Sequence, residues 1–448
     1  MSDALTTRLE EHTAGRVLTP ADAAEYDRHR GGFNLTLDHR PALVLAAEAE
    51  SDVAAGIRFA AEHGLGVDVQ ATGHGAHDSM DGGLLITTRR LNRVEVDADR
   101  RVARVSAGAT AAAVLAATAR YGLTAPVGSA SGVGYVSYSL GGGLGPFGRR
   151  HGYAADHVRR LDVVTADGRE LTVTRDRHPE LFRGLRGGGG NFAAVTALEV
   201  ALLPFADLYG GGLFFAGERA PEVLDRFRRC VATAPRELSL SVAFLAFPDS
   251  AGVPPPLRGR FCCHVRVAYV GDPAAGRRRI EPLMTAQPFL DTVRLMPATA
   301  LGTIHADPAE PMPVTSDSVA LRTEDVVGKI APLVDPGASF LLELRHLGGA
   351  LADEPAVAGA VGHRGARMNL FTSAYPGVDP AASAAAQRQI RESVAAESAG
   401  GPLRTFLPTG YRDASSCYEP ALAAELAALK RTWDPADTFR FAPAVSGG

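Results

Sequence analysis

Three glycine-rich stretches constrain this chain more than anything else in it. They are "QATGHGAHDSMDGG" (70–83), "GSASGVGYVSYSLGGGLGPFGRRHGYAADH" (128–157) and "RGLRGGGGNF" (183–192). Glycine lets the backbone approach a ligand closely and aim its N–H groups at an anion. Three such stretches in succession, each joined to apolar runs, point to one long ligand; a pyrophosphate carrying two ring systems has the right length. The first stretch also holds His74, and a bulky side chain in such a turn needs a reason. The residues alone leave three open: a metal ligand (with His77 and Asp78 nearby), a general base, or a covalent attachment point.

The rhythm around these stretches mixes helices and strands. Residues 51–63 place Val53, Ile57, Ala60 and Ala61 on one face, with Ser51 as cap and Gly64 as stop, which predicts a helix. "GVDVQ" alternates Val67 and Val69 as a strand. "GGLLITT", "RRVARVSAG" and "NFAAVTALEVALL" predict further strands. "TAAAVLAATARYG" predicts a helix capped by Thr110, and "LDVVTADGRELTVT" a hairpin turning at Asp167 and Gly168. Gly143, Gly145 and Gly148 match GxGxxG, but Pro146 sits in the turn and no helical run follows, so a classical dinucleotide fold is not expected. Further on, "GGGLFFAG", "LSLSVAFLAF", "RFCCHVRVAYVG" and "ASFLLELRHLGGAL" predict sheet strands, crossed by helices over 220–233 and 380–397. The fold class is α+β.

Bulk properties narrow the function. A chain of 448 residues exceeds one core and predicts two or three domains. A net charge of -4 gives no footprint for nucleic acid or an anionic membrane. The start, "MSDALTTRLEEH", shows no secretory leader, and no apolar run approaches the roughly 20 residues of a membrane span. The four cysteines form no CxxC pair, so neither structural zinc nor a disulfide framework is expected. A cytoplasmic setting follows as an expectation.

The motifs in series resemble the FAD-linked oxidases of the berberine bridge enzyme type: "ATGHG", "DGGLLITT", "YGLTAPVGSASGVGYVSYSLGGGLG", "HGYAADHVRRLDVVTADGRE", "RHPELFRGLRGGGGNFAAVTALEV" and, near the end, "ELAALKRTWDPADTFRF". The likeness is dense over 41–203, thin in the middle and returns over 425–441. It implies a two-part FAD-binding domain of the PCMH/VAO type over 1–205. A substrate-binding domain with an antiparallel sheet flanked by helices would follow over 206–404. A C-terminal segment over 405–448 would return to the first domain.

The resemblance also assigns residues. His74 matches the histidine bonded to the 8α-methyl carbon of FAD. Many relatives add a second bond through a cysteine; that position falls on Ala130, so a single link is implied and no metal. Thr72, Gly73, Gly75 and Ala76 would hold the pyrophosphate. Gly128, Ser129, Val133, Gly134, Ser139, Gly141 and Gly142 would wrap the ribose and ring, with Gly152, Tyr153 and Val200 as further contacts and Phe441 near the isoalloxazine. No motif fixes a catalytic base. Tyr375, Tyr411 and Tyr418 are the candidates, with Glu343 and His346, which sit three apart on a strand and so face opposite sides. The lack of a readable base implies a reduced quinone-type or other aromatic natural product as substrate, with O2 as acceptor, as in actinomycete oxidases that return a reduced drug to its inert quinone. The alternatives are a tailoring oxidoreductase acting on an alcohol or amine and a drug-sequestering protein.

Overall fold

The computed structural model describes residues 2–335, 337 and 340–446. Three sheets occupy successive stretches of chain. The first has four strands in the order Arg16–Leu18, Leu43–Ala46, Leu84–Thr87, Val67–Gln70; the last three run parallel, and Arg16–Leu18 is antiparallel to its neighbour. The second is a five-stranded antiparallel sheet, Val94–Asp97, Val102–Ser106, Ala193–Ala201, Val158–Thr165 and Glu170–Val173. The third has eight antiparallel strands. Its central order is Asp207–Ala216, Phe261–Tyr269, Leu238–Ala246, Phe340–His346, Met368–Ala374, Ser316–Leu321.

Local chemistry explains most boundaries. Thr110 caps the helix Ala111–Ala119 by accepting from the Ala113 N–H, and Gly122 ends the segment at φ 67°. Gly168 turns the Val158–Val173 hairpin at φ 79°. The expected cap at Ser51 is not used. The helix runs Glu50–Glu62, and buried Asp52 organises its start by accepting from the N–H groups of Glu48, Ala49, Ala14 and Gly15. A carboxylate in the first helical turn complements the helix dipole and can collect several N–H groups, which one hydroxyl cannot.

The eight-stranded sheet is two-faced. Leu240, Val242, Val265, Val267, Leu342 and Leu344 form a core with the helix Ala220–Ala232. Their alternating neighbours are polar: Ser241, His264, Arg266, Glu343 and Asn369 are buried, and Arg345 is partly buried. The polar face meets the segment Leu144–Arg149, so it looks toward the glycine-rich part of the chain. The C-terminal segment folds back there as well: Asn191 donates to the Pro443 carbonyl, and helix Pro420–Trp433 packs on helix Pro179–Leu185.

Candidate flavin and substrate site

The first two glycine-rich stretches meet at His74. Its Nδ1 lies 2.8 Å from Thr72 Oγ1, and the Gly134 N–H donates to that same oxygen at 3.3 Å. Phe33 stacks on the imidazole with centroids 3.9 Å apart. A Cβ placed on Gly132 would stand 3.8 Å from His74 Cε1. Ser129 donates to Asp307 at 2.6 Å, and the Asp307 carboxylate acts on His74. Burial holds the imidazole down to about 4 against that carboxylate, so the ring is neutral, and nucleophilic, at neutral pH.

The cradle needs glycine at particular points. Gly73 has φ 76°, and a Cβ there would lie 2.4 Å from Gly32 Cα. Gly75, by contrast, faces open space, as does Gly190 in the third stretch. Around these stretches several buried polar atoms have no partner among the described residues: Gln70 Oε1, Tyr135 OH, Asn191 Oδ1, and Arg404 Nε and Nη1. Buried polar atoms seldom stay unpaired. A large polar ligand would satisfy them, and the residues present fit FAD.

The remaining expected contacts fall as follows. Ala76 continues the His74 loop, its N–H reaching the Gly73 carbonyl. Gly128 packs against the Tyr138 ring, and the Val133 carbonyl accepts from Ala111. Ser139 is buried with its hydroxyl donated to the Tyr135 carbonyl. Gly141 and Gly142 close the short helix Tyr135–Leu140, Gly142 at φ 99°. Gly152 at φ 85° leads into buried Tyr153, over which Arg364 stacks. Val200 lies wholly buried in the strand Ala193–Ala201. Phe441 departs from the expectation. It packs by Gly66 and Gly83, where the strands Val67–Gln70 and Leu84–Thr87 begin, whereas the His74 loop leaves the opposite end of Val67–Gln70. The apolar pocket of Tyr26, Val44, Met80 and Leu85 holds its ring there.

The three candidate tyrosines are not brought together. Tyr375 OH accepts from the Ala246 N–H at 2.8 Å. Tyr411 packs half-buried against the N-terminal core. Tyr418 is buried and donates to the Gly187 carbonyl at 3.0 Å. Glu343 is clamped: Arg266 lies 3.0 Å away, Arg345 3.1 Å and His305 Nε2 3.7 Å. The two guanidiniums hold its carboxyl well below the usual carboxylate range, against the effect of burial. Arg266, His305 and Arg345 have no sequence motif; period-2 alternation in "FCCHVRVAY" and "FLLELRH" marks the polar face in hindsight. Among the described residues no group of three or more His, Cys, Asp or Glu is placed to hold a metal, and no helix is long and apolar enough to cross a membrane.

The FAD binding domain family matches residues 41–174. The chain carries that domain and has the fold of a berberine bridge enzyme-like protein. It is similar to (R)-6-hydroxynicotine oxidase of Paenarthrobacter nicotinovorans, 32% identical over 204 residues, 45% of this chain and 44% of that protein. An uncharacterised FAD-linked oxidoreductase of Bacillus subtilis is 27% identical over 237 residues, 51% of this chain and 52% of that one. The chain thus spans about half the length of these relatives. Among solved structures, 6-hydroxy-D-nicotine oxidase from Arthrobacter nicotinovorans superimposes with a TM-score of 0.85 at 21% identity over 97% of this chain and 98% of that one. A berberine bridge enzyme-like protein of Physcomitrella patens gives 0.84 at 18% over 99% of each chain.

Proposed function

We propose that the chain is an FAD-dependent oxidase whose flavin is bonded through His74 and that acts on a small aromatic molecule, with O2 as acceptor. The observation that carries the covalent link is the pairing of a neutral, stacked imidazole with the second glycine stretch. The flavin, when bound, supplies the two-electron acceptor. Thr72, Phe33 and the Gly132 backbone orient the imidazole. The polar face of the eight-stranded sheet receives the substrate.

A reduced quinone-type natural product is the substrate class we favour, with reduced mitomycin as the candidate and antibiotic self-resistance as the purpose. Glu343 supports this reading: clamped by two arginines, it is a poor proton acceptor, and a hydroquinone oxidation needs little help in losing O–H protons. A second reading, oxidation of an alcohol or amine, is favoured by His305. Its ring is buried and neutral, with Nε2 3.7 Å from a carboxylate that would stabilise its protonated form. Oxygen uptake by the purified yellow protein separates the two. Turnover with reduced quinones and not with alcohols or amines is expected; uptake with alcohols or amines alone overturns the quinone assignment.

A further inference from the structure

The polar face of the eight-stranded sheet holds more positive charge than its packing requires. Arg266, Ser241, Arg345 and Asn369 lie side by side across four strands. Both guanidiniums share one carboxylate, Glu343, in the next row. A third guanidinium, Arg149, enters from the facing segment and is hydrogen-bonded to backbone carbonyls and His346. Between these groups lies a small cavity of about 20 Å³, bordered by Arg149, Ser241, Arg266, His305, Arg345 and His346, with apolar walls. No carboxylate borders it.

Several donors there are unspent. A guanidinium has no acceptor, so at the 3.0 Å contact with Arg149 the His346 Nε2 must accept, and the ring proton sits on Nδ1. That Nδ1 has no partner among the described residues; neither do Arg345 Nε, Ser241 Oγ or His305 Nδ1. His346 is 3% exposed, and the Arg345 side chain 11%. Unpaired N–H and O–H groups converging on a cavity of net positive charge are complementary to negatively charged oxygen.

We propose that this cavity binds a small oxyanion of the carboxylate class. The anion has two sources: a free ion, or an acidic oxygen of the substrate, a carboxylate or an ionised phenol. Only the second rests on the oxidase reading.

Formate, with formamide as its neutral counterpart, tests the site by calorimetry and unfolding midpoint on the flavin-loaded protein at constant ionic strength. Formate should bind one site with a Kd on the order of millimolar, the limit for three heavy atoms, and formamide should not bind. Arg345→Met should weaken formate at least about tenfold, as loss of a charge-assisted partner does. Ser241→Ala leaves every charge in place and should weaken it several-fold, so the test survives a misfolded arginine variant. Absence of saturable formate binding, equal binding of formamide, or unchanged affinity in a folded Arg345→Met or Ser241→Ala protein would overturn the proposal. Formate that raises KM for the reduced quinone with kcat unchanged assigns the site to the substrate's own oxygen. Formate that binds without changing KM assigns it to a free ion. Formate binding in a protein that oxidises no donor rejects the oxidase reading and leaves the anion site standing.

Discussion

Arg149 donates to Nε2 of His346 at 3.0 Å, joining the glycine-rich half of the chain to the end of a central strand of the eight-stranded sheet. The rest of its guanidinium is spent on the carbonyls of Leu238 (2.8 Å), Ala234 (3.1 Å), Pro235 (3.3 Å) and Leu347. Burial lowers its pKa to about 10, which still leaves the cation intact at neutral pH. Arg149→Met strands all these acceptors at once and should cost about 3–5 kcal/mol in urea unfolding. Arg149→Lys should recover only part, since an ammonium lacks the planar fork. A Met variant within about 1 kcal/mol of the parent would mean that this junction contributes little.

His74→Ala should abolish covalent flavin while leaving reversible binding, because the glycine loops and the unpaired polar atoms of the cradle remain. Acid precipitation separates the cases: the parent pellet stays yellow and a peptide containing His74 carries the FAD mass, whereas the variant loses its colour to the supernatant. A colourless parent pellet refutes the covalent link.

Ala130→Cys places a thiol in the loop that faces His74, two residues before Gly132. A second flavin bond and an altered absorption spectrum are expected under oxidising conditions. An unchanged spectrum and peptide map would show that the loop holds residue 130 away from the ring.

Replacing Tyr375, Tyr411 and Tyr418 singly with Phe should lower turnover of a reduced quinone by less than about tenfold, against the 10²- to 10⁴-fold typical of a lost general base. Tyr418→Phe should also cost about 1 kcal/mol of stability through its lost bond to Gly187. A drop beyond a hundredfold in one flavin-loaded variant would name that tyrosine as the base and favour the alcohol or amine reading.

Buried histidines make the fold acid-sensitive. Burial lowers His74 and His151 to about 4 and His77 to about 3, from an ordinary value of 6.5. Below 6.5 the unfolded chain takes up protons that the folded chain refuses, so stability falls as pH drops from 6.5 toward 4 and is unaffected by these groups above about 7. Denaturant midpoints measured from pH 7 to 4 should decline, and less steeply in His151→Gln. Equal slopes would remove His151 from the account.

The cradle was legible because its chemistry is local. Glycines at forced backbone angles and a histidine two residues after a threonine leave a mark in consecutive letters, and the same holds for the Gly168 hairpin and the Thr110 cap. The Asp52 cap was not, since two of its four donors come from Ala14 and Gly15, far away in the chain. The position of Phe441 was not legible for a similar reason: an aromatic ring reads the same in any apolar setting, and only packing puts it against Tyr26 and Met80.

The sequence by itself determined the alternation of strands and helices and the glycine turns, because each depends on neighbours within a few residues. Only the tertiary structure decided that Arg266, Ser241, Arg345 and Asn369 form one row, that Glu343 is clamped between two guanidiniums, and that Arg149 reaches His346 across 197 positions. Strand register and sheet order bring those groups together. Both are set by burying the opposite, apolar face of the same strands, and the polar face follows wherever that burial places it.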